Sequence, residues 1–234
     1  MTIFVGIDNT GNSESIGTGK FARQIAKKLS SKYNIYGVTR HQFYAQSDIL
    51  YSLHNFGAVI HMDTHEQGSI HNIFEIVKTI MLDNFNEGSN PGLAAAYESS
   101  ISPALVAFGQ DAKNKVLQTK IAINLAKNSG ILLEGMGKTG DGIIGAMAGI
   151  GLAYTKNDGR FLQIGRVRKL KGPQPAEKLL NAGIDKIFTL DGRRVITGII
   201  INDGNKPMKP SPVNGEVILF VDEENGIFKA VNKD

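Results

Sequence analysis

The chain has 234 residues, 26 Lys and Arg against 22 Asp and Glu, and no cysteine. A formal charge of +4, mixed in sign along the chain, permits nucleic-acid contact without demanding it. The missing cysteines exclude disulfides, thiolate catalysis and any Cys-ligated zinc site.

The first apolar run, Thr2–Ile7, predicts a strand that ends at Asp8-Asn9-Thr10-Gly11 and leads through Ile16-Gly17-Thr18-Gly19-Lys20 into a helix. That order sets a carboxylate, hydroxyls and open backbone at the carboxyl end of a strand beside a helix N-terminus. Open α/β sheets bind phosphate there, because backbone N–H groups and the helix dipole attract anions and an Asp can hold a metal ion. A capped strand-to-helix turn would use the same residue types, so both readings stand at this point. A P-loop is excluded: Phe21 follows Gly19-Lys20 where Ser or Thr is needed, and Glu14 stands at the first Gly position. Gly137-Lys138-Thr139 fails in the same way, with Leu132 at the upstream position. No basic leader precedes the opening strand, and Gly142–Tyr154 is too short and glycine-rich to span a bilayer, so the expectation is a soluble cytoplasmic protein.

Residues 18–33 carry Phe21, Ile25, Ala26 and Leu29 at helical spacing. Two strands are expected over 34–44 and 56–62, and a second helix from Ser69, with Ser69 as its cap. Asn90-Pro91-Gly92 breaks the chain before the run Leu93–Tyr97. Strand, helix, strand, strand, helix, strand is the order of a ferredoxin-like split βαβ arrangement. Residues 102–115, 119–129 and 142 onward read as helices, with a short apolar run at 131–133. Beyond Phe161, short strands are expected at 161–167, 186–190, 195–201, 216–221 and 227–231. The fold class is therefore α/β (α+β): a ferredoxin-like half over 1–98, a helical glycine-rich region over 99–171 packed on it, and a small β-rich part over 172–234, the last boundary falling near Gly172-Pro173-Gln174-Pro175.

Gly135, Gly137 and Gly140 satisfy G-x-G-x-x-G, with Asp158 near the distance expected of an acidic partner, but the strand before them is very short for a dinucleotide unit. The better reading sets Lys138, Thr139 and the backbone amides of Gly137 and Gly140 against an anion at the start of the Gly142 helix. The later glycines, Gly145 to Gly151, read as close-packing positions.

Val5-Gly6-Ile7-Asp8-Asn9-Thr10, Gly17-Thr18, Gly57-Ala58-Val59, Asn90-Pro91-Gly92 and Gly140-Asp141-Gly142-Ile143-Ile144-Gly145-Ala146, in that order over residues 1 to about 155, resemble TiaS, the archaeal agmatinylcytidine synthetase family that modifies isoleucine tRNA. The resemblance covers the family's kinase-like and ferredoxin-like parts. It implies ATP and magnesium as cofactors, hydrolysis of ATP to AMP and pyrophosphate, and phosphorylation of the protein itself and of cytidine. By that resemblance Asp8 is the first carboxylate of an acidic strand-end motif and the metal ligand, and Thr18 lies in the segment that becomes phosphorylated. Thr10 offers a hydroxyl, Gly57 belongs to a glycine loop, and Lys138, Gly140 and Gly142 belong to the phosphate-facing segment. Four departures weaken the carry-over. Asn9 and Gly11 replace carboxylates, His54 replaces an arginine, and Asp141 replaces a basic residue; no zinc ribbon can form. The expected partner is a nucleotide or another phosphate-bearing small molecule, bound by a phosphotransferase or by a non-catalytic module. RNA contact through Arg166, Arg168, Lys169 and Lys171 is the third reading. His61, His65 and His71 with Asp63 and Glu66 invite a metal site, against which polar loop chemistry is the default. Glu134 is weighed as a general base.

Overall fold

A computed structural model describes residues 1–11, 15–45, 55–65, 68–202, 204 and 206–231. The chain divides into two units, Met1–Tyr154 and Thr155–Asp234.

In the first unit, β1 (Thr2–Asp8), α1 (Thr18–Leu29), β2 (Asn34–Gln42), β3 (Phe56–Asp63), α2 (Ser69–Asp83) and β4 (Gly92–Tyr97) follow one another in the expected order. Their antiparallel pairing sets β4 beside β1, β1 beside β3 and β3 beside β2, which is the ferredoxin-like sheet. Three helices and an edge strand complete the unit: α3 (Pro103–Ala112), α4 (Thr119–Ser129), β5 (Leu132–Gly135), which pairs antiparallel with β4, and α5 (Gly142–Tyr154). Strand alternation sends Ile3, Val5 and Ile7 to one face of the sheet and Phe4, Gly6 and Asp8 to the other. Both faces are covered, so β1 is buried along its middle. Helices α1 and α2 form one layer; α1 buries Phe21, Ala22, Ile25, Ala26 and Leu29 and leaves Lys27 and Lys28 outside.

On the other face lies α5, apolar all round and buried over most of its length. It reaches the sheet through missing side chains. A Cβ on Gly6 would stand 2.2 Å from the Ala146 carbonyl oxygen, and one on Gly92 would stand 2.0 Å from the Gly142 carbonyl carbon. On its far side a Cβ at Gly151 would meet the Leu105 carbonyl oxygen of α3 at 2.3 Å. The core of this layer joins Phe4, Val59 and Ala94 of the sheet to Leu105 and Phe108 of α3 and to Met147 and Ile150 of α5. Close packing is thus what Gly151 supplies, as the sequence implied, and Gly149 stands against Val59.

Helix α2 starts at Ser69 as the sequence set it, but the cap is a different residue. Gly68 in the left-handed region (φ 80°) is the N-cap, and Ser69 is the first helical residue, its hydroxyl donating to Thr64 Oγ1 at 3.2 Å. The glycine-rich segment 135–141 joins β5 to α5, and β5 runs antiparallel to β4, so it is not the turn of a parallel dinucleotide-binding unit.

The second unit holds β6 (Arg160–Ile164), β7 (Gln174–Pro175), α6 (Ala176–Leu180), β8 (Lys186–Thr189), β9 (Ile199–Ile201), β10 (Ser211–Val213), β11 (Glu216–Glu224) and β12 (Ile227–Val231). Strand β11 pairs with β10 and β12 antiparallel and with β8 parallel, and β12 continues through β9 to β7. The boundary lies after Tyr154, upstream of the one expected near Gly172, because Phe161, Ile164 and Val167 belong to the same core as Leu179, Ile187, Leu219 and Phe228. The region 99–171 is accordingly not one body: α3, α4, β5 and α5 belong to the first unit.

Candidate functional site at one end of the first sheet

The antiparallel pairing collects the candidate residues at one end of the sheet. The end of β1 at Asp8 faces the start of β4 at Gly92, Ile7 faces Ala58 near the start of β3, and His41 at the end of β2 faces Gly57. The start of α1 follows β1, and the start of α5 touches Gly92.

Asp8 lies on the α5 face of this end. Its Oδ1 accepts the Asn9 N–H at 2.7 Å, and Asn9 adopts the left-handed conformation (φ 51°) that its short polar side chain tolerates. A Cβ on Gly145 would stand 1.9 Å from Asp8 Oδ2 and 2.9 Å from Phe43 Cε2. The missing side chain is therefore what leaves room for the carboxylate against the first turns of α5. Burial pushes the Asp8 carboxyl up to about 7, opposed by the Asn9 amide. Near neutral pH it titrates, and a bound cation would drive its proton off.

Thr10 and Thr18 are both buried, and the Thr10 hydroxyl donates to Thr18 Oγ1 at 3.1 Å, tying the end of β1 to the start of α1. The Asn86 amide donates to the Thr10 carbonyl at 2.9 Å, tying the loop after α2 to the same point. Gly17 (φ 75°) is the N-cap of α1 and contributes no side-chain hydrogen bond, and no acidic residue lies in the first turn. That helix end opens on a cleft of about 340 Å³ lined by Thr10, Ser15, Ile16, Gly17, Phe21, Asn84, Phe85 and Asn86. A helix N-terminus capped by glycine, facing a polar cleft, is suited to an anion.

The glycine-rich segment occupies a neighbouring position, and Asn90 and Pro91 take up three of the amides in and next to it. Asn90 Oδ1 accepts the Thr139 N–H at 2.9 Å, its carbonyl accepts the Gly142 N–H at 3.0 Å, and the Pro91 carbonyl accepts that of Met136 at 2.8 Å. The Ile143 and Ile144 amides bond back to Gly140 and Asp141. The start of α5 is thus tied to Asn90, whereas at the start of α1 the Gly17 N–H donates to Ser15 Oγ at 3.4 Å and the Lys20 and Phe21 amides bond to the Gly17 carbonyl, so the Thr18 and Gly19 amides are the candidates for a ligand. Gly137 (φ 79°) packs over Ser89 and Asn90, and Gly140 (φ 63°) lies against Gly135. Lys138 is exposed at the tip of the segment. Gly57 faces Phe43 and the Gly145 carbonyl, and Gly142 faces Gly92; both positions serve close packing.

The remaining candidates lie elsewhere. His61 is buried against Phe4, and its Nε2 shares the Thr39 hydroxyl with His41 Nε2, at 2.7 and 2.8 Å. Asp63 accepts from the Thr2 hydroxyl at 3.0 Å. Among the described residues no group of three or more His, Asp or Glu could hold a metal ion. Glu134 pairs with Lys78 of α2 at 3.1 Å. His54 and Glu66 lie outside the described residues. Asn84, Phe85, Asn86 and Asn90 went unread as site residues. The signal was present in Asn84-Phe85-Asn86 and Asn90-Pro91-Gly92, since a ferredoxin-like order returns the chain before β4 to the end of β1.

Fold and site together define a ferredoxin-like α/β unit with a polar, ligand-sized cleft at the strand end. No protein-family model matches the chain, and neither does any curated protein. Among solved structures it is similar to a tRNA fluorescent labeling enzyme (22% identity, TM-score 0.56, covering 64% of this chain and 36% of that one). It is also similar to TiaS, a tRNA agmatidine synthetase, in its apo form (22%, 0.55, 64% and 35%) and in complex with tRNA and ATP (22%, 0.56, 64% and 36%). The fold is TiaS-like, and the match spans about a third of the length of those proteins.

Proposed function

We propose that the first unit binds ATP or a closely related nucleotide in the cleft at the start of α1. The carrying observation is the glycine-capped α1 N-terminus opening on a cleft at the same sheet end as the half-buried carboxylate of Asp8, which lies on the opposite face of the sheet and does not line that cleft. The TiaS-like fold supports it, because TiaS has been solved with ATP. In this reading the phosphates lie against the amides of Thr18 and Gly19, the Thr10 and Thr18 hydroxyls hold that corner in shape, and Lys138 supplies a positive charge from the neighbouring loop.

Magnesium enters as the nucleotide's counter-ion. A lone carboxylate, with one oxygen already bonded to the Asn9 amide, fits an ion held chiefly by the nucleotide's own phosphates and does not fit a resident metal. Asp8 then contributes one negative ligand and must lose its proton to do so.

Binding without phosphoryl transfer is the reading the hydroxyls favour. Thr18 is buried and accepts from Thr10, so transfer to it requires that pair to open. The test incubates the protein with magnesium ATP and searches Thr18 for phosphate by mass spectrometry, beside nucleotide binding by calorimetry. Binding without phosphothreonine or ATP turnover supports the binding module, and phosphate on Thr18 establishes the phosphotransferase. No binding overturns the nucleotide reading.

A further inference from the structure

The formal charge of +4 lies wholly on the second unit. Residues 155–234 carry 14 Lys and Arg against ten Asp and Glu, whereas residues 1–154 carry twelve of each. Within the second unit the positive charge is concentrated further. Between Gly159 and Ile184 stand six cationic residues and one carboxylate, Glu177.

The fold brings the turn that carries four of the six against the chain just after α6, the helix that carries Lys178. That turn, after β6, carries Arg166, Arg168, Lys169 and Lys171. The Arg166 N–H bonds to the Ala182 carbonyl at 2.7 Å and its guanidinium to the Asn181 carbonyl at 3.0 Å. The Gln174 amide donates to the Lys171 carbonyl at 2.6 Å, and Gly165 and Gly183 meet closely enough that a Cβ on either would stand 3.3 Å from the other's Cα. Arg168 donates to the Leu162 carbonyl. Both arginines are thereby held in place by neutral carbonyls, which restrain the guanidinium without cancelling its charge. Arg166, Lys169, Lys171 and Lys178 are exposed, and none of the five forms an ion pair with a described carboxylate.

We propose that this surface binds the phosphodiester backbone of a folded or double-stranded nucleic acid. Cations restrained by the backbone and unneutralised by neighbouring acids suit a regular array of phosphates. No exposed aromatic residue lies between Gly159 and Ile184, so the surface lacks the stacking platform that single-stranded bases require. The apolar side chains at the turn, Val167 and Leu170, lie in or against the core of the unit, which leaves nothing at the turn to insert into a lipid surface. The surface reads charge and shape, and RNA and DNA backbones present the same chemistry to it.

The experiment measures anisotropy of a fluorescent RNA hairpin, a DNA hairpin of equal length and a single-stranded oligonucleotide with the full chain, from about 50 to about 200 mM salt. The test variant is K169E/K171E/K178E. The matched control is K27E/K28E/K32E, which makes the same charge change at exposed positions of the first unit. The expected results are salt-dependent binding of both hairpins, loss of at least tenfold in the test variant with a shallower salt slope by roughly one per phosphate contact removed, and little change in the control. Tighter binding of one hairpin than the other supports the site and identifies the source of the backbone. Equal losses in both variants would reduce the effect to net charge and overturn the site, as would tighter binding of the single strand or no binding at about 50 mM salt.

Discussion

In the proposed site, Asp8 concentrates the conflict between folding and binding in a single carboxyl group. Burial raises its pKa from the ordinary 3.8 to about 7, so between those values the folded protein holds a proton that the unfolded chain has released. Stability from this group is fully present below pH 3.8, declines as the pH rises toward about 7, and is gone above it. Asp8→Asn keeps the shape and removes the titration. The variant should therefore be more stable than the parent at about pH 8 by roughly 1–3 kcal/mol, with the gain vanishing near pH 4, as read by urea unfolding at the two pH values. An equal effect at both would mean that Asp8 ionises in the fold as it does in water. A second residue-scale prediction concerns Thr39, whose hydroxyl serves both His41 and His61. Thr39→Val leaves two buried imidazole nitrogens without that partner and should cost about 1–3 kcal/mol in the same assay.

At the scale of elements, α5 is the piece on which the sheet end depends. It lies so close to the strands that its contacts with Gly6, Gly92 and Asp8 are made across glycine, and any Cβ there must move backbone or the Asp8 carboxylate. Gly6→Ala, pushing against the Ala146 carbonyl, should lower the melting temperature by several degrees and destabilise by more than about 2 kcal/mol. Gly145→Ala should do something narrower. Its Cβ meets the carboxylate itself, so nucleotide binding should fall even where the fold survives, and calorimetry beside a melting curve separates the two effects. The glycines also show how far the sequence could be read. The helix and strand periods of β1 to β4 revealed the ferredoxin-like order, because each element is long enough to show two or more repeats of its pattern. Glycine gives no such signal: Gly57 and Gly142 pack closely against Gly145 and Gly92, whereas Gly17 and Gly137 adopt the left-handed conformation, and the sequence distinguishes none of them. The strands β7 and β10 and the helix α6 span two, three and five residues, too few to show any period.

For the whole molecule, the division after Tyr154 separates two units by charge as well as by core. The first unit is electrically balanced and holds a titrating carboxylate at the sheet end; the second carries the excess positive charge. The Gly172-Pro173 segment looked like a linker because proline and glycine mark turns and linkers alike, and here they mark a turn that folds back onto α6 inside one unit. The central claim is that the cleft at the start of α1 binds a nucleotide with Asp8 as the protein's ligand to its metal ion. Calorimetric titration with ATP, with and without magnesium, at about pH 6 and about pH 8, tests it most directly, with Asp8→Ala beside Asp63→Ala. The account predicts magnesium-dependent binding that is stronger at the higher pH, weakened about tenfold or more (about 1.4 kcal/mol) by Asp8→Ala and unchanged by Asp63→Ala. Binding that is indifferent to magnesium, to pH and to both substitutions would contradict it.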